Sequence, residues 1–165
     1  MLEVHRIAEP TSEEADGELV LDFDARQKSR FRARLADGTE VAVRLPRGSE
    51  LSQGTCLRSD DGRLLRVIAA FEPLSVTRTD DPVLLARAAY HLGNRHVPLE
   101  ITGGRLQYRH DHVLDAMLRR LGLSVAFEHG PFVPESGAYG RGHVHEHGEH
   151  DHDHDHDAPG GSGAR

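Results

Sequence analysis

The chain has one cysteine, Cys56, so it cannot form an internal disulfide, and none of its 165 residues belongs to an apolar run near the roughly 18 needed to cross a bilayer. The first residues, MLEVHRIAEP, lack the basic start and apolar core of a secretory leader. Together these absences predict a soluble, cytoplasmic protein with no membrane partner, in which Cys56 is a small packing residue rather than a ligand. Lysine is nearly missing too. Lys28 stands alone and no G-x-x-x-x-G-K-[ST] loop exists, which excludes a P-loop nucleotide hydrolase. No H-E-x-x-H pair and no carboxylate–histidine set with an open position is present, so a metal-dependent hydrolase is disfavoured and the chain is expected not to be an enzyme. The net charge of −7 and the lack of a basic stripe with interleaved aromatics argue against nucleic acid as a partner, although much of the negative charge falls in residues 146–157.

What the chain has in abundance is histidine. Of its 13 histidines, seven lie in RGHVHEHGEHDHDHDHD, Arg141 to Asp157: His143, His145, His147, His150, His152, His154 and His156. Nearly all adjoin a carboxylate, and almost nothing apolar is among them. Imidazole binds divalent zinc, copper and nickel and is mostly neutral at neutral pH, while the interleaved Asp and Glu attract cations. With its charge and lack of apolar residues, the segment is predicted to be a disordered tail that holds metal ions. Acidity alone would not call for a histidine at every second residue, and purification tags are usually uninterrupted histidine runs.

Before the tail, two patterns follow each other. Residues 19–68 alternate with period two: Leu19, Leu21 and Phe23 share a face, Phe31, Ala33 and Leu35 alternate with Arg30, Arg32 and Arg34, and Val41, Val43 and Leu45 alternate with Glu40, Ala42 and Arg44. Turn signals fall at Ala36-Asp37-Gly38, Pro46-Arg47-Gly48 and Asp60-Asp61-Gly62, which predicts an antiparallel β domain over residues 1–70 with its arginines on solvated strand faces. From Phe71 the pattern mixes strand and helix. Glu72 to Thr79 reads as a strand, and a helix capped at Asp80 or Asp81 carries Leu84, Leu85, Ala88, Ala89 and Leu92 on one stripe and ends at Gly93. Val97 to Thr102 and Arg105 to Arg109 form a hairpin about Gly103-Gly104; Asp111 caps a second helix with Leu114, Met117, Leu118 and Leu121 on one face; Ser124 to Phe127 is a last strand. The predicted fold class is therefore α+β: a β domain over 1–70, a ferredoxin-like βαββαβ domain over 71–140, and the tail over 141–165.

The second unit has histidines of its own. His110 and His112 flank Asp111 where a strand passes into a helix, a pair able to aim both rings to one side, while His96 lies just beyond a helix stop. An isolated pair of this kind is more often solvent-facing than ligating; the tail shifts the balance, because a metal-collecting segment is most useful beside a folded site. His91, following Tyr90 on a helix that must pack, reads as structural or as a support behind a metal ligand.

The run from Tyr90 to Ile101, YHLGNRHVPLEI, with its GNRH followed by a strand carrying Pro and Ile, resembles the signature of the urease accessory protein UreE family, nickel metallochaperones, and the resemblance extends over nearly the whole chain. It implies a β-rich N-terminal domain of peptide-binding type, a ferredoxin-like C-terminal domain, and a homodimer in which the two copies of His96 meet and bind Ni(II) together. It also implies that His110 and His112 are secondary sites open to Zn(II) or Cu(II), and that the partners are the urease apoprotein and its accessory GTPase. Physical chemistry is consistent with such a design. One histidine per chain becomes two ligands across a two-fold axis, and an incompletely filled coordination sphere can release its ion, as a carrier must. A tethered tail holds further ligands at roughly millimolar effective concentration. Ligand type alone would favour copper over nickel, so the metal assignment rests on the resemblance. The alternative is a general divalent-metal buffer or store that works through the tail and delivers nothing.

Overall fold

The computed structural model describes residues 1–136. The first six strands are β1 (Leu2–Ile7), β2 (Gly17–Leu21), β3 (Arg30–Arg34), β4 (Glu40–Arg44), β5 (Cys56–Ser59) and β6 (Leu64–Ala69), joined in one sheet in the order β2-β6-β5-β1-β4-β3. Period-two alternation sends Leu19, Leu21, Val41, Val43, Leu57, Leu65 and Val67 into one buried cluster with Leu2 and Val4, while Arg30, Arg32 and Arg34 stay exposed on the edge strand.

The expectation of a wholly antiparallel N-terminal sheet is corrected in two places: β1 runs parallel to β4, and β2 runs parallel to β6. The hairpins β3–β4 and β5–β6 are antiparallel as their turns dictate. Alternation specifies which face a strand buries, not its direction. Strands brought together over long connections take whichever direction packing allows. Phe23 also leaves the face assigned to it, because β2 stops at Leu21 and Asp22 caps the single turn α1 (Phe23–Arg26), accepting from the Ala25 amide at 2.7 Å.

After Ala70 the chain runs directly into β7 (Phe71–Arg78), then α2 (Pro82–Gly93), β8 (Glu100–Thr102), β9 (Arg105–Arg109), α3 (His112–Arg120) and β10 (Val125–Pro131). The four strands pair antiparallel in the order β10-β7-β9-β8, the ferredoxin-like arrangement. Asp81 caps α2 with Pro82 in its first turn, and Asp111 caps α3, each side chain accepting from two amides. The β8–β9 turn uses positive φ at both Gly103 (45°) and Gly104 (80°), which glycine takes without the steric cost a side chain would add. Ala88, Leu92 and Leu118 bury against Leu106 and Tyr108 on one face of this sheet, with Met117 packed at the edge of the cluster.

The opposite face of this sheet carries Leu74 and Val76, which cluster with Phe132 and, from the first domain, Phe23. Phe23 and Phe132 meet edge to face at 5.4 Å. Arg26, only 2% exposed, donates to the Phe132 carbonyl and lies over the Phe23 ring, and burial lowers its pKa against the opposing pull of Glu72. Glu72 in turn accepts from the Phe23 amide at 2.9 Å, and Arg109 pairs with Asp24 at 2.8 Å. Residues 1–135 thus make one unit in which a short helix of the first domain is keyed into the second. We predict that Arg26→Ala, which strips a buried donor from the Phe132 carbonyl and a counter-charge from Glu72, lowers stability by about 3 kcal/mol. A reduced urea midpoint with an unchanged slope would show it.

Candidate metal centre

His96 owes its position to the way α2 ends. The amide of His96 bonds back to the Gly93 carbonyl at 2.9 Å and that of Val97 to the Leu92 carbonyl at 3.3 Å, the paired closing bonds of a Schellman motif. Such a motif needs a left-handed residue, usually glycine. Here that residue is His96 itself, with φ 55°, the one non-glycine with positive φ among the described residues. Gly93, read as the helix stop, is the last helical residue, and the reversal comes at the histidine. A side chain in this region costs about 1–2 kcal/mol, strain of the sort that accumulates at functional positions. The turn leaves His96 exposed, and with Pro98 following, the next strand begins only at Glu100.

His110 is fixed by different means. Its amide bonds the Pro73 carbonyl at 3.0 Å, extending the β7–β9 ladder, and its ring packs edge-on against Phe127 with centroids 4.9 Å apart. Nδ1 lies 3.0 Å from Ser75 Oγ and 3.6 Å from Asp115 Oδ2. Asp115 is 5% exposed and accepts from the Tyr108 hydroxyl at 2.8 Å, with Arg119 at 3.7 Å. Burial first, and the bond to Asp115 second, push the Tyr108 phenol well above its ordinary pKa, so it stays a neutral donor. Next in the chain, Asp111 caps α3, and the amides of Leu114 and Val113 hold its carboxyl below the usual range.

His96 and His110 open into one cleft of about 480 Å³, walled by Glu72 and Pro73 from the start of β7, Val97 and Pro98 from the α2 exit, and Arg109, Asp111 and Leu114 at the α3 entry. His112 begins α3, is exposed, and is not part of this wall, because the extended Asp111 between the two histidines gives way to helix at His112. His91 is half-buried on α2 against Tyr90. His143, His145, His147, His150, His152, His154 and His156 lie outside the described residues. The cleft thus offers two imidazoles with carboxylates nearby, a donor set suited to borderline divalent ions such as nickel, copper and zinc.

One grouping was not foreseen. On the outer face of the first sheet, His5 Nε2 lies 3.4 Å from Glu3 Oε2 and 3.5 Å from Asp60 Oδ2, close enough together to surround an ion. Arg44 already shares the same Glu3 oxygen at 3.3 Å, and all three side chains are at least one-third exposed. We read it as a surface ion-pair cluster. β1 and the turn after β5 make it, so period-two reading of any single segment could not show it.

Fold and site define a two-domain α+β protein with a β-rich module ahead of a ferredoxin-like unit that brings two histidines to one cleft. The family model for the UreE urease accessory protein N-terminal domain matches residues 2–70, and that for its C-terminal domain matches residues 72–157. The chain is 59% identical over 131 residues to the urease accessory protein UreE of Alkalilimnicola ehrlichii, covering 79% of this chain and 80% of that protein. It is 55% identical over 135 residues to that of Pseudomonas putida strain F1 (81% of each), and 57% identical over 122 residues to that of Enterobacter sp. 638 (73% and 80%). The chain belongs to the UreE family of urease accessory proteins, and so to urease maturation rather than to the urease reaction itself.

The strain at His96 makes a prediction of its own. His96→Gly should raise the stability of the fold by about 1 kcal/mol, since glycine takes the left-handed conformation freely, while removing an imidazole from the cleft. Thermal unfolding beside a nickel titration tests both halves; a variant no more stable than the parent would show the backbone to be unstrained there.

Proposed function

We propose that this protein is a nickel metallochaperone: a cytoplasmic homodimer that binds Ni(II) and delivers it to the urease apoprotein together with the accessory GTPase that acts in the same assembly. The observation that carries this reading is the convergence of His96 and His110 on one solvent-open cleft. In the proposed dimer the two copies of His96 supply a shared site, with His110 and His112 as secondary ligands that also accept Zn(II) or Cu(II). Val83 and Tyr90 on α2 and Val113 on α3 are each more than 60% exposed, apolar side chains that favour covering by a second copy.

A site of few protein ligands, open to solvent, suits a carrier. Each 1.4 kcal/mol of binding free energy is a tenfold in affinity, and a fully coordinated site would hold its cargo. Nickel is the cargo here, and imidazole nitrogen fits it. In our reading the division of labour follows residues 1–70 for partner contact, 71–140 for metal binding and dimerisation, and 141–165 for collecting metal. The exposed arginine edge of β3 is consistent with a surface that meets another protein.

The histidine-rich composition of residues 141–157 favours one competing reading, a divalent-metal buffer acting through the tail. Delivery separates them. With nickel limiting, His96→Ala should abolish most urease activation by the full chain, and calorimetry with light scattering should show one tight site lost per dimer. Deletion of residues 143–165 should lower nickel capacity and loading rate while leaving activation largely in place. The reverse pattern, activation kept without His96 and lost without the tail, would establish the buffer.

A further inference from the structure

Ser75 is an unusual residue for its place. It lies at the middle of β7, the strand flanked by β9 and β10, directly opposite Tyr108 on one side and Phe127 on the other, and it is fully buried on the face the helices cover. A hydroxyl there costs free energy unless it is bonded. Its neighbour along the same face, Thr77, bonds the Ser124 carbonyl at 2.9 Å. Ser75 reaches the His110 ring instead.

Tyr108 and Asp115 lie on the far side of the same group. An Asp115 carboxylate only accepts, so the 2.8 Å contact with Tyr108 uses the phenol's proton. Ser75 Oγ lies 3.0 Å from His110 Nδ1, and a hydroxyl oxygen can accept from that nitrogen when it carries a proton. Asp115 Oδ2, 3.6 Å from the same nitrogen, is beyond a good hydrogen bond but adds a negative charge that favours a proton there. Phe127 closes the ring's other side.

We infer that Ser75 and Asp115 are positioning residues for His110: they keep Nδ1 protonated and leave the Nε2 lone pair for a metal ion in the cleft shared with His96. The inference rests on the metal reading of that cleft. It assigns a role to buried residues that touch neither the ion nor a partner protein. Partners of this kind set a ligand's tautomer and raise its basicity, and their loss typically weakens metal binding roughly 10- to 100-fold.

The test uses the full chain with nickel(II) alone, observed by nitrogen NMR at the His110 ring so that the tail histidines do not contribute to the signal. The parent should show a protonated Nδ1 and a bare Nε2. Ser75→Ala and Asp115→Asn should shift the ring toward the Nε2–H tautomer and raise the nickel concentration needed to broaden His110 by roughly 10- to 100-fold. Amide resonances of the first domain report whether each variant stays folded, and Asn at position 115 keeps an oxygen for Tyr108. Unchanged tautomer and affinity in both variants, with His110→Ala still losing a nickel step, would overturn the positioning role and leave the metal site standing. No effect of nickel at His110 in the parent would overturn the metal reading, and this inference with it.

Discussion

The buried guanidinium of Arg26 ties the structure together. A charged group at 2% exposure is tolerated only where its donors and its charge are answered, and here the Phe132 carbonyl, the Phe23 ring and the Glu72 field answer them. These partners come from both sequence halves, so the one-turn helix after β2 can form its contacts only when the second sheet is in place. Glu72 serves two structures at once: it accepts from the Phe23 amide and forms part of the wall of the histidine cleft. Arg109 does likewise, pairing with Asp24 on one side and lining the cleft on the other. The cleft is lined wholly by the second domain, and two of its wall residues, Glu72 and Arg109, also hold the short helix of the first.

In that cleft the two histidines are held by opposite strategies. His96 is placed by backbone geometry, a left-handed residue closing a helix, and its side chain extends into solvent with no side-chain partner among the described residues. His110 is placed by its side chain, with one ring nitrogen turned toward a buried serine and carboxylate and one face against Phe127. A ligand free to swing suits a site shared with another molecule. A ligand held by second-layer partners suits capture with defined geometry. The proposed metal carrier would use both, and membership of the UreE family places the chain in urease maturation.

Much of this was legible from residues alone. Aspartates at the helix starts, the Gly103-Gly104 turn and the helical stripes are local signals, and the ferredoxin-like order followed from them because each element's identity is written within ten or so residues. His96 and His110 could be singled out, but not their meeting in one cleft, since they reach it from different elements of the second sheet's domain. Nor could the role of Ser75 be seen: on paper it is one polar residue in an apolar strand, and its meaning comes from Tyr108 and Asp115, which only the β7–β9 pairing and the packing of α3 bring beside it.

The sequence by itself determined the alternating faces of β3 and β4, the βαββαβ order of the second unit and the capped starts of its two helices, because all of these depend on near neighbours and periodicity. The tertiary structure decided strand direction in the first sheet, the burial of Arg26 and Ser75, and the meeting of His96 and His110 in one cleft. Each of these depends on contacts between residues distant in the chain, and the free energy that selects among the alternatives exists only once the two sheets and their helices have packed.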